Sequence, residues 1–343
     1  WLLIDPAGQP FFSLGMNHID SATLRYPENL HIWREQYGNS QKRWLQEAVA
    51  PDLRGWGFNT VGWCQEVIVR APTLHRHSRN FTPEDYEWLQ LPYCHLLPFT
   101  EAHQWEIETR LPDVFTDDFA EWCECVAREQ CARLADDPLL IGYFYCDCPT
   151  WVHARRPELK PPWCDPSRLA SEAGRAELAR MAERYYKVTH DAIRRYDPNH
   201  LILGDRYEAM APLPDEILLA ARPYVDVLSF QFFSDAEAIA AAFRTWHELT
   251  GTPILLADAC VPGRDEGLSE DECTYPGMLR ALREVSCCVG WHYCGAYLKN
   301  RVRNAGFRDE NNEIVNPGFI RAVTKANRET AAWVAGYRKD AAL

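Results

Sequence analysis

Short apolar runs recur along the chain and alternate with longer segments whose apolar residues are spaced three and four positions apart. Short runs rich in β-branched and aromatic residues predict strands, whereas the longer spacing predicts amphipathic helices. The eight predicted strands are 11–17, 58–63, 93–99, 139–147, 200–205, 225–231, 253–258 and 288–293. Strands that alternate with helices favour a parallel sheet covered by helices.

Local signals support the predicted helices. Asp117 and Pro317 are typical of helix starts, and the pairs Asp137-Pro138 and Asp197-Pro198 end two helices because the residue before proline avoids the helical region. The segment 64–91 shows no clear helical pattern and is predicted to be a long loop. The predicted helices are 41–56, 117–135, 169–196, 215–221, 235–250, 275–285 and 317–337.

This alternation predicts the α/β class and a single (β/α)8 (TIM) barrel over residues 1–343. The chain shows no internal repeat and no shift in composition that would indicate a linker. An open doubly wound sheet is the alternative, and it would place a glycine-rich phosphate loop after its first strand. The chain has Gly15-Met16-Asn17-His18 there instead, which favours the barrel.

The charge balance and the cysteines bear on partners and location. The formal net charge of −13 disfavours nucleic acid and acidic membrane surfaces as partners. The 13 cysteines have no compact spacing, which indicates reduced thiols and a cytoplasmic location. Because the sequence begins at Trp1, a secreted location is an open alternative. A homo-oligomer is compatible with the sequence.

The carboxyl ends of barrel strands form the active site in folds of this type. The residues at these ends are polar, aromatic and acidic, which favours a small polar ligand. Imidazoles there could donate and accept hydrogen bonds to hydroxyl groups, and indoles could stack on a ring. The predicted substrate-binding residues are Asn17, His18, Trp63, Gln65, Glu66, His95, Tyr145, Trp151, Arg206, Gln231, Trp291 and His292.

Several segments resemble a known group of enzymes. They are 3–12 (LIDPAGQPFF), 14–18 (LGMNH), 56–60 (WGFNT), 138–144 (PLLIGYF), 197–204 (DPNHLILG), 226–229 (DVLS) and 253–256 (PILL). In order and spacing they are similar to agarase-like and galactosidase-like glycoside hydrolases of the retaining (β/α)8 clan. The resemblance spans nearly the whole predicted barrel. It implies glycosidase activity and polysaccharide degradation without indicating a particular sugar.

The chain departs from this clan at both catalytic positions. The clan places one glutamate at the end of strand four and a second at the end of strand seven. Here Asp147-Cys148 stands at the first position and Asp258 at the second. A thiol, with an ordinary pKa of about 8.5, is a poor proton donor to a glycosidic oxygen. The resemblance therefore implies Asp147 as the acid and Asp258 as the opposing carboxylate.

The shorter aspartate side chains leave the stereochemistry open. Catalytic carboxyl groups lie about 5 to 5.5 Å apart in retaining enzymes and about 6.5 to 9.5 Å apart in inverting ones. Two aspartates on an unchanged backbone would widen the gap. Each also has a structural alternative, because Asp147 could orient a tyrosine or histidine and Asp258 could be a structural partner of Arg206 or of a loop amide.

Cysteines at the predicted strand ends support a different chemistry. With His18, His95 or His292 they could bind zinc, or one could be a nucleophile whose pKa zinc lowers. The close pair Cys146-x-Cys148 lacks the usual C-x₂₋₄-C spacing. We therefore predict no metal and no cofactor. A zinc- or cysteine-dependent glycosidase and a catalytically inactive sugar-binding barrel are the alternatives. The six strand-end cysteines are Cys64, Cys94, Cys146, Cys148, Cys260 and Cys294.

Overall fold

Eight parallel strands close into a barrel in the computed structural model, which describes residues 1–71, 74–100, 112–147, 149, 151–152, 166–260, 274–301 and 305–340. All eight predicted strands are confirmed. Each strand neighbours the one before it in the chain, and the eighth pairs with the first. The barrel strands are β1 (Ser13–Met16), β2 (Thr60–Val61), β3 (Tyr93–Leu96), β4 (Leu140–Asp147), β5 (Leu201–Glu208), β6 (Leu228–Gln231), β7 (Ile254–Ala259) and β8 (Cys288–Tyr293).

Burial of the strands follows from this topology. Six of the eight are buried at every residue, as expected when side chains on one face fill the barrel and those on the other meet helices. The register of β8 on β1 sets Trp291 opposite Leu14 and His292 opposite Gly15. The (β/α)8 fold predicted from the sequence is confirmed.

The predicted helices are also present, with ends shifted by a few residues. The segment Gln41–Gly55 is helical throughout but includes a π-helical stretch, Leu45–Val49. No helix among the described residues is long and apolar enough to cross a membrane. The α-helices are α1 (Leu30–Tyr37), α2 (Gln41–Trp44), α3 (Ala50–Gly55), α4 (Pro83–Leu89), α5 (Asp117–Leu134), α6 (Glu172–Tyr196), α7 (Asp215–Ala221), α8 (Ala236–Thr250), α9 (Tyr275–Arg283) and α10 (Pro317–Asp340), and 3₁₀ turns span Ala22–Arg25 and Pro166–Ala170.

The segment 64–91 differs from the long loop that the sequence predicted. It contains an antiparallel strand pair, Gln65–Ala71 and Leu74–Asn80, followed by α4. A second antiparallel pair, Leu3–Ile4 with Pro10–Phe11, precedes β1. The strand Leu74–Asn80 carries a single apolar residue in LHRHSRN, so hydrophobic alternation cannot reveal it.

Residue contacts group the chain into two compact units. The first comprises Trp1–Tyr93, Phe233–Ala241 and Leu256–Leu343, and the second comprises Cys94–Phe232 and Ala242–Leu255. The single catalytic domain over 1–343 stays a prediction. Each unit holds its own group of the predicted site residues.

Candidate active site

Four polar side chains converge in the first unit at the carboxyl ends of β1, β7 and β8. Asp258 is only 3% exposed, and its Oδ1 accepts a hydrogen bond of 2.6 Å from Asn17 Nδ2. Nε2 of His18 lies 3.6 Å from the same carboxylate oxygen and 3.5 Å from Sγ of Cys294. We call Asn17, His18, Asp258 and Cys294 the Asp258 cluster.

The backbone of His18 is unusual. Its φ of 57° lies in the left-handed region, which few residues other than glycine adopt. Its amide donates to the Trp63 carbonyl at 2.8 Å, and its carbonyl accepts from the Tyr297 amide at 3.4 Å. These bonds hold the bend that brings the imidazole to Asp258. Strained backbone of this kind is frequent at functional sites.

Two glycines make room for the polar side chains at this position. A Cβ on Gly62 would lie 2.1 Å from Oδ1 of Asn17, and one on Gly15 would lie 2.4 Å from the His292 ring. Oδ1 of Asn17 accepts a hydrogen bond of 2.8 Å from the Trp63 amide. Both the oxygen and the nitrogen of the Asn17 side-chain amide are therefore hydrogen-bonded, and the nitrogen orients Asp258.

His292 lies inside the barrel. It is fully buried, and its Nε2 is 2.8 Å from the hydroxyl of Ser13, which is itself 2.9 Å from the hydroxyl of Thr60. Ser13 is the first residue of β1, so the imidazole extends toward the amino-terminal ends of the strands. These contacts place its Nε2 in a hydroxyl network inside the barrel, and its substrate-binding role stays a prediction.

Trp63 and Trp291, the predicted stacking residues of this unit, are each 1% exposed. Nε1 of Trp291 donates to the Ala259 carbonyl at 3.0 Å, and its ring stacks on Tyr275 with centroids 4.5 Å apart. One face of the Trp291 indole is therefore occupied by protein. At 1% exposure the ring presents almost no surface to a ligand, so its stacking role stays a prediction.

In the second unit, Asp147 at the end of β4 forms a buried ion pair with Arg206 of β5. Arg206 donates from Nε at 3.1 Å and from Nη2 at 2.6 Å, both to Oδ1 of Asp147. The register between β4 and β5 shifts between Tyr143 and Phe144, and again before Asp147. Such irregularities redirect side chains and are frequent beside active sites. The sequence offered Arg206 as a structural partner of Asp258, whereas the ion pair in the structure joins Arg206 to Asp147.

Tyr145 and Trp151, which the sequence predicted to bind substrate, lie against α6. Both rings contact Tyr185, with centroids 6.3 Å and 5.4 Å away. Asp205 faces the same helix and accepts hydrogen bonds from Tyr185 at 3.0 Å and Tyr186 at 2.7 Å. Burial raises the pKa of Asp205 to about 7. Because side chains alternate along a strand, Arg206 points to the opposite face of β5.

His95 of β3 also points toward a helix. Its Nε2 lies 2.8 Å from Oε1 of Gln130 on α5, and burial lowers the pKa of the imidazole to about 4. The imidazole is therefore neutral at pH 7. These contacts explain its burial through the packing of β3 on α5, so a substrate-binding role for His95 stays a prediction.

Gln231 at the end of β6 donates a hydrogen bond of 2.9 Å to Glu208 at the end of β5. Glu208 is a strand-end carboxylate that the sequence did not identify. The apolar run that predicted β5 ended at residue 205, three residues before the strand does. Extending the strand by its alternation would have revealed Glu208.

The hairpin after β2 holds the two remaining predicted residues. Gln65 bonds to the side chain of Asn80 on the facing strand. Glu66 forms ion pairs with Arg25 and, at 3.7 Å, with Arg79. Both predicted residues thus help to fix the base of the hairpin.

The strand-end cysteines do not all share one environment. Cys64, Cys94 and Cys146 are buried, whereas Cys260 and Cys294 are partly exposed. Cys148 lies outside the described residues. Within the part of the chain that the structure describes, the group whose side chains could hold a metal ion is His18, Asp258 and Cys294, with ligand atoms within 4.8 Å of one another.

The raised pKa of Asp205 predicts a pH-dependent stability. The folded state binds this proton more tightly than the unfolded chain, so the free energy of unfolding should fall as pH rises from about 4 to about 7. Asp205→Asn cannot titrate and should gain stability relative to wild type over this range, by up to about 1.4 kcal/mol per pH unit. Melting temperatures of both proteins between pH 5 and pH 8 test this. A difference that stays constant with pH would contradict it.

Comparison with known proteins gives structural likeness alone. No family model matches the chain, and no curated protein matches its sequence. The agarase AgWH50C superposes with a TM-score of 0.67 at 16% identity, covering 96% of this chain and 61% of that chain. An exo-β-agarase gives 0.70 at 15% identity, covering 96% of this chain and 64% of that one.

A third similar structure is a β-glucuronidase from an uncultured Clostridium species, with a TM-score of 0.55 and 15% identity. The superposition covers 94% of this chain and 51% of the glucuronidase. The chain thus spans about three fifths of the two agarases and about half of the glucuronidase. At these identities the likeness shows a barrel fold shared with glycoside hydrolases.

Proposed function

We propose that the chain is a glycoside hydrolase that cleaves a glycosidic bond in an oligosaccharide, with Asp147 and Asp258 as its two carboxylates. The observation that carries this proposal is Asp258, a buried carboxylate at the end of a barrel strand, held by Asn17 and beside His18. Barrel enzymes place their catalytic groups at these strand ends.

Burial of such carboxylates is costly unless they are paired or used. Asp147 and Asp258 are each 3% exposed. Arg206 of β5 donates to Asp147, and Asn17 at the end of β1 donates to Asp258. The similar solved structures, which are named as agarases and a glucuronidase, support the same class of reaction.

Hydrolysis of a glycoside needs a proton donor for the leaving oxygen and a carboxylate that attacks the anomeric carbon or activates water. Arg206 donates two hydrogen bonds to Asp147 and so stabilises its negative charge. We therefore assign Asp147 as the charged carboxylate and the Asp258 cluster as the source of the proton. This division reverses the roles that the sequence resemblance implied.

A catalytically inactive sugar-binding barrel is the second candidate. It is favoured by the absence of both clan glutamates, since Cys148 and Asp258 stand in their places. Such a protein would bind an oligosaccharide and release it unchanged. Its predicted binding residues would be the same as those of the hydrolase.

A substrate screen tests the proposal. The full chain is incubated with aryl glycosides and with plant, algal and bacterial oligosaccharides, and released sugars are measured by chromatography. We expect hydrolysis of at least one class of glycoside. Binding detected by calorimetry for an oligosaccharide that is never cleaved would support the inactive barrel and overturn the hydrolase.

Trp291→Ala tests whether the indole lies in the sugar site. If the indole stacks on the substrate, the variant should lose about 2 to 4 kcal/mol of transition-state stabilisation in kcat/KM. If it is only a core residue packed on Tyr275, it should lose thermal stability and keep normal kinetics. Melting temperature and kinetic constants measured on one preparation separate the two, and a destabilised enzyme with unchanged kcat/KM would remove Trp291 from the site.

A further inference from the structure

We propose that His18, Asp258 and Cys294 form a binding site for a divalent transition metal ion, and that zinc suits it best. The three side chains come from the ends of three different strands of the first unit. Their ligand atoms, an imidazole nitrogen, a carboxylate oxygen and a thiol sulfur, all lie within 4.8 Å of one another.

The separations agree with a tetrahedral zinc ion. Zinc bonds of about 2.0 Å to nitrogen or oxygen and about 2.3 Å to sulfur place neighbouring ligands about 3.3 to 3.7 Å apart. Nε2 of His18 is 3.6 Å from Oδ1 of Asp258 and 3.5 Å from Sγ of Cys294. The third pair, a carboxylate oxygen of Asp258 and Sγ of Cys294, lies within 4.8 Å.

A cysteine, a histidine and an aspartate could instead form a nucleophilic triad, but the contacts argue against it. In a triad the acid contacts one ring nitrogen of the histidine and the nucleophile contacts the other. Here both the carboxylate and the thiol approach Nε2 of His18. Convergence of all three groups on one point is what a metal ion requires.

The mixture of donor atoms selects the kind of ion. Magnesium and calcium prefer oxygen ligands throughout, whereas one nitrogen, one sulfur and one oxygen suit zinc or its spectroscopic substitute cobalt. Three protein ligands also leave a fourth position, which is typical of catalytic zinc sites.

Neighbouring groups hold the three ligands in place. Asn17 donates a hydrogen bond to Asp258 at 2.6 Å, and the Cys294 amide donates to the Ala259 carbonyl at 2.8 Å. The left-handed backbone of His18 is fixed by its bonds to Trp63 and Tyr297. Support of this kind around ligands strengthens metal affinity.

The metal would also explain how the Asp258 cluster supplies a proton. A zinc ion held by these three residues would lower the pKa of a bound water to about 7 and could thereby supply the proton. This use of the metal rests on the proposed function, whereas binding of the ion does not. The proposal replaces the sequence-based expectation of no metal.

Cobalt titration of the full chain tests the site. Protein freed of metal with a chelator is titrated with Co²⁺, and we expect thiolate-to-cobalt absorption that saturates at one ion per chain and is displaced by Zn²⁺. Cys294→Ser should remove the thiolate band, and His18→Ala should weaken Co²⁺ affinity at least about 10-fold, the lower end of the effect seen for supporting groups. Cys260→Ser is the matched control, because it removes another partly exposed thiol two residues after Asp258. It should keep the band.

Melting temperatures and glycoside hydrolysis separate the effects of each variant on folding and on function. Metal-free Cys294→Ser should melt close to metal-free wild type, which shows that loss of the band is not loss of fold. Absence of the band in wild type, or its loss in Cys260→Ser but not in Cys294→Ser, would overturn the site. A cobalt band without hydrolysis of any glycoside would leave the metal site standing and contradict the proposed function, and hydrolysis without any band would do the reverse.

Discussion

Asp258→Asn should lower turnover by a factor of about 100 or more while the protein stays folded. The asparagine keeps the shape of the aspartate, and its carbonyl can still accept the hydrogen bond from Asn17. It can carry neither the negative charge nor an exchangeable acidic proton, so the Asp258 cluster would lose its chemistry. The measurement is kcat on a glycoside with a poor leaving group, together with the melting temperature.

Asp205→Asn is the control for this substitution. Asp205 is another buried strand aspartate, but its carboxylate faces Tyr185 and Tyr186 on α6. The control variant should therefore keep kcat within a factor of about 3 of wild type, as expected for a residue outside the reacting groups. Near-normal turnover in Asp258→Asn would remove Asp258 from catalysis.

Arg206→Met should destabilise the protein by about 3 to 5 kcal/mol, since it leaves the buried charge of Asp147 without this partner. The ion pair is almost fully buried, with side chains 1% and 4% exposed, so little solvent screens it. Methionine fills a similar volume, which limits the contribution of packing to the loss. Urea denaturation measures the free energy of unfolding.

The double variant Asp147→Asn/Arg206→Met separates charge from packing. It removes both charges and should recover much of the stability lost in Arg206→Met, because the two effects are coupled. Asp147→Asn alone should also be destabilised, since it leaves the Arg206 guanidinium buried. Single variants that each lie within about 1 kcal/mol of wild type would show that the pair is not held as the structure describes.

The barrel could be predicted from the sequence because its strands are buried on both faces. Buried parallel strands such as β7 and β8 appear as nearly continuous apolar runs, and long helices such as α6 show a clear apolar stripe. The short helix α1 was missed because eight residues give too little periodicity. Gly38, which ends it with φ of 59°, was the available signal.

The site was harder to predict because strand position alone does not tell which face a side chain takes. His95, Tyr145 and Trp151 stand near strand ends, yet they contact helices on the outside of the sheet. The register shifts before Asp147 cannot be inferred from apolar alternation. The approach of Asp258 to His18 and Cys294 depends on the left-handed backbone of His18. No pattern in the sequence predicted that backbone conformation.

The central claim is that two strand-end carboxylates act together in glycoside hydrolysis. The most direct test is turnover of one glycoside with a poor leaving group by wild type, Asp147→Asn, Asp258→Asn and the double variant, at a temperature where all four are folded. Because groups that act as a unit have non-additive effects, each single variant should lose nearly as much turnover as the double variant. A double variant that retains turnover close to wild type would contradict the claim.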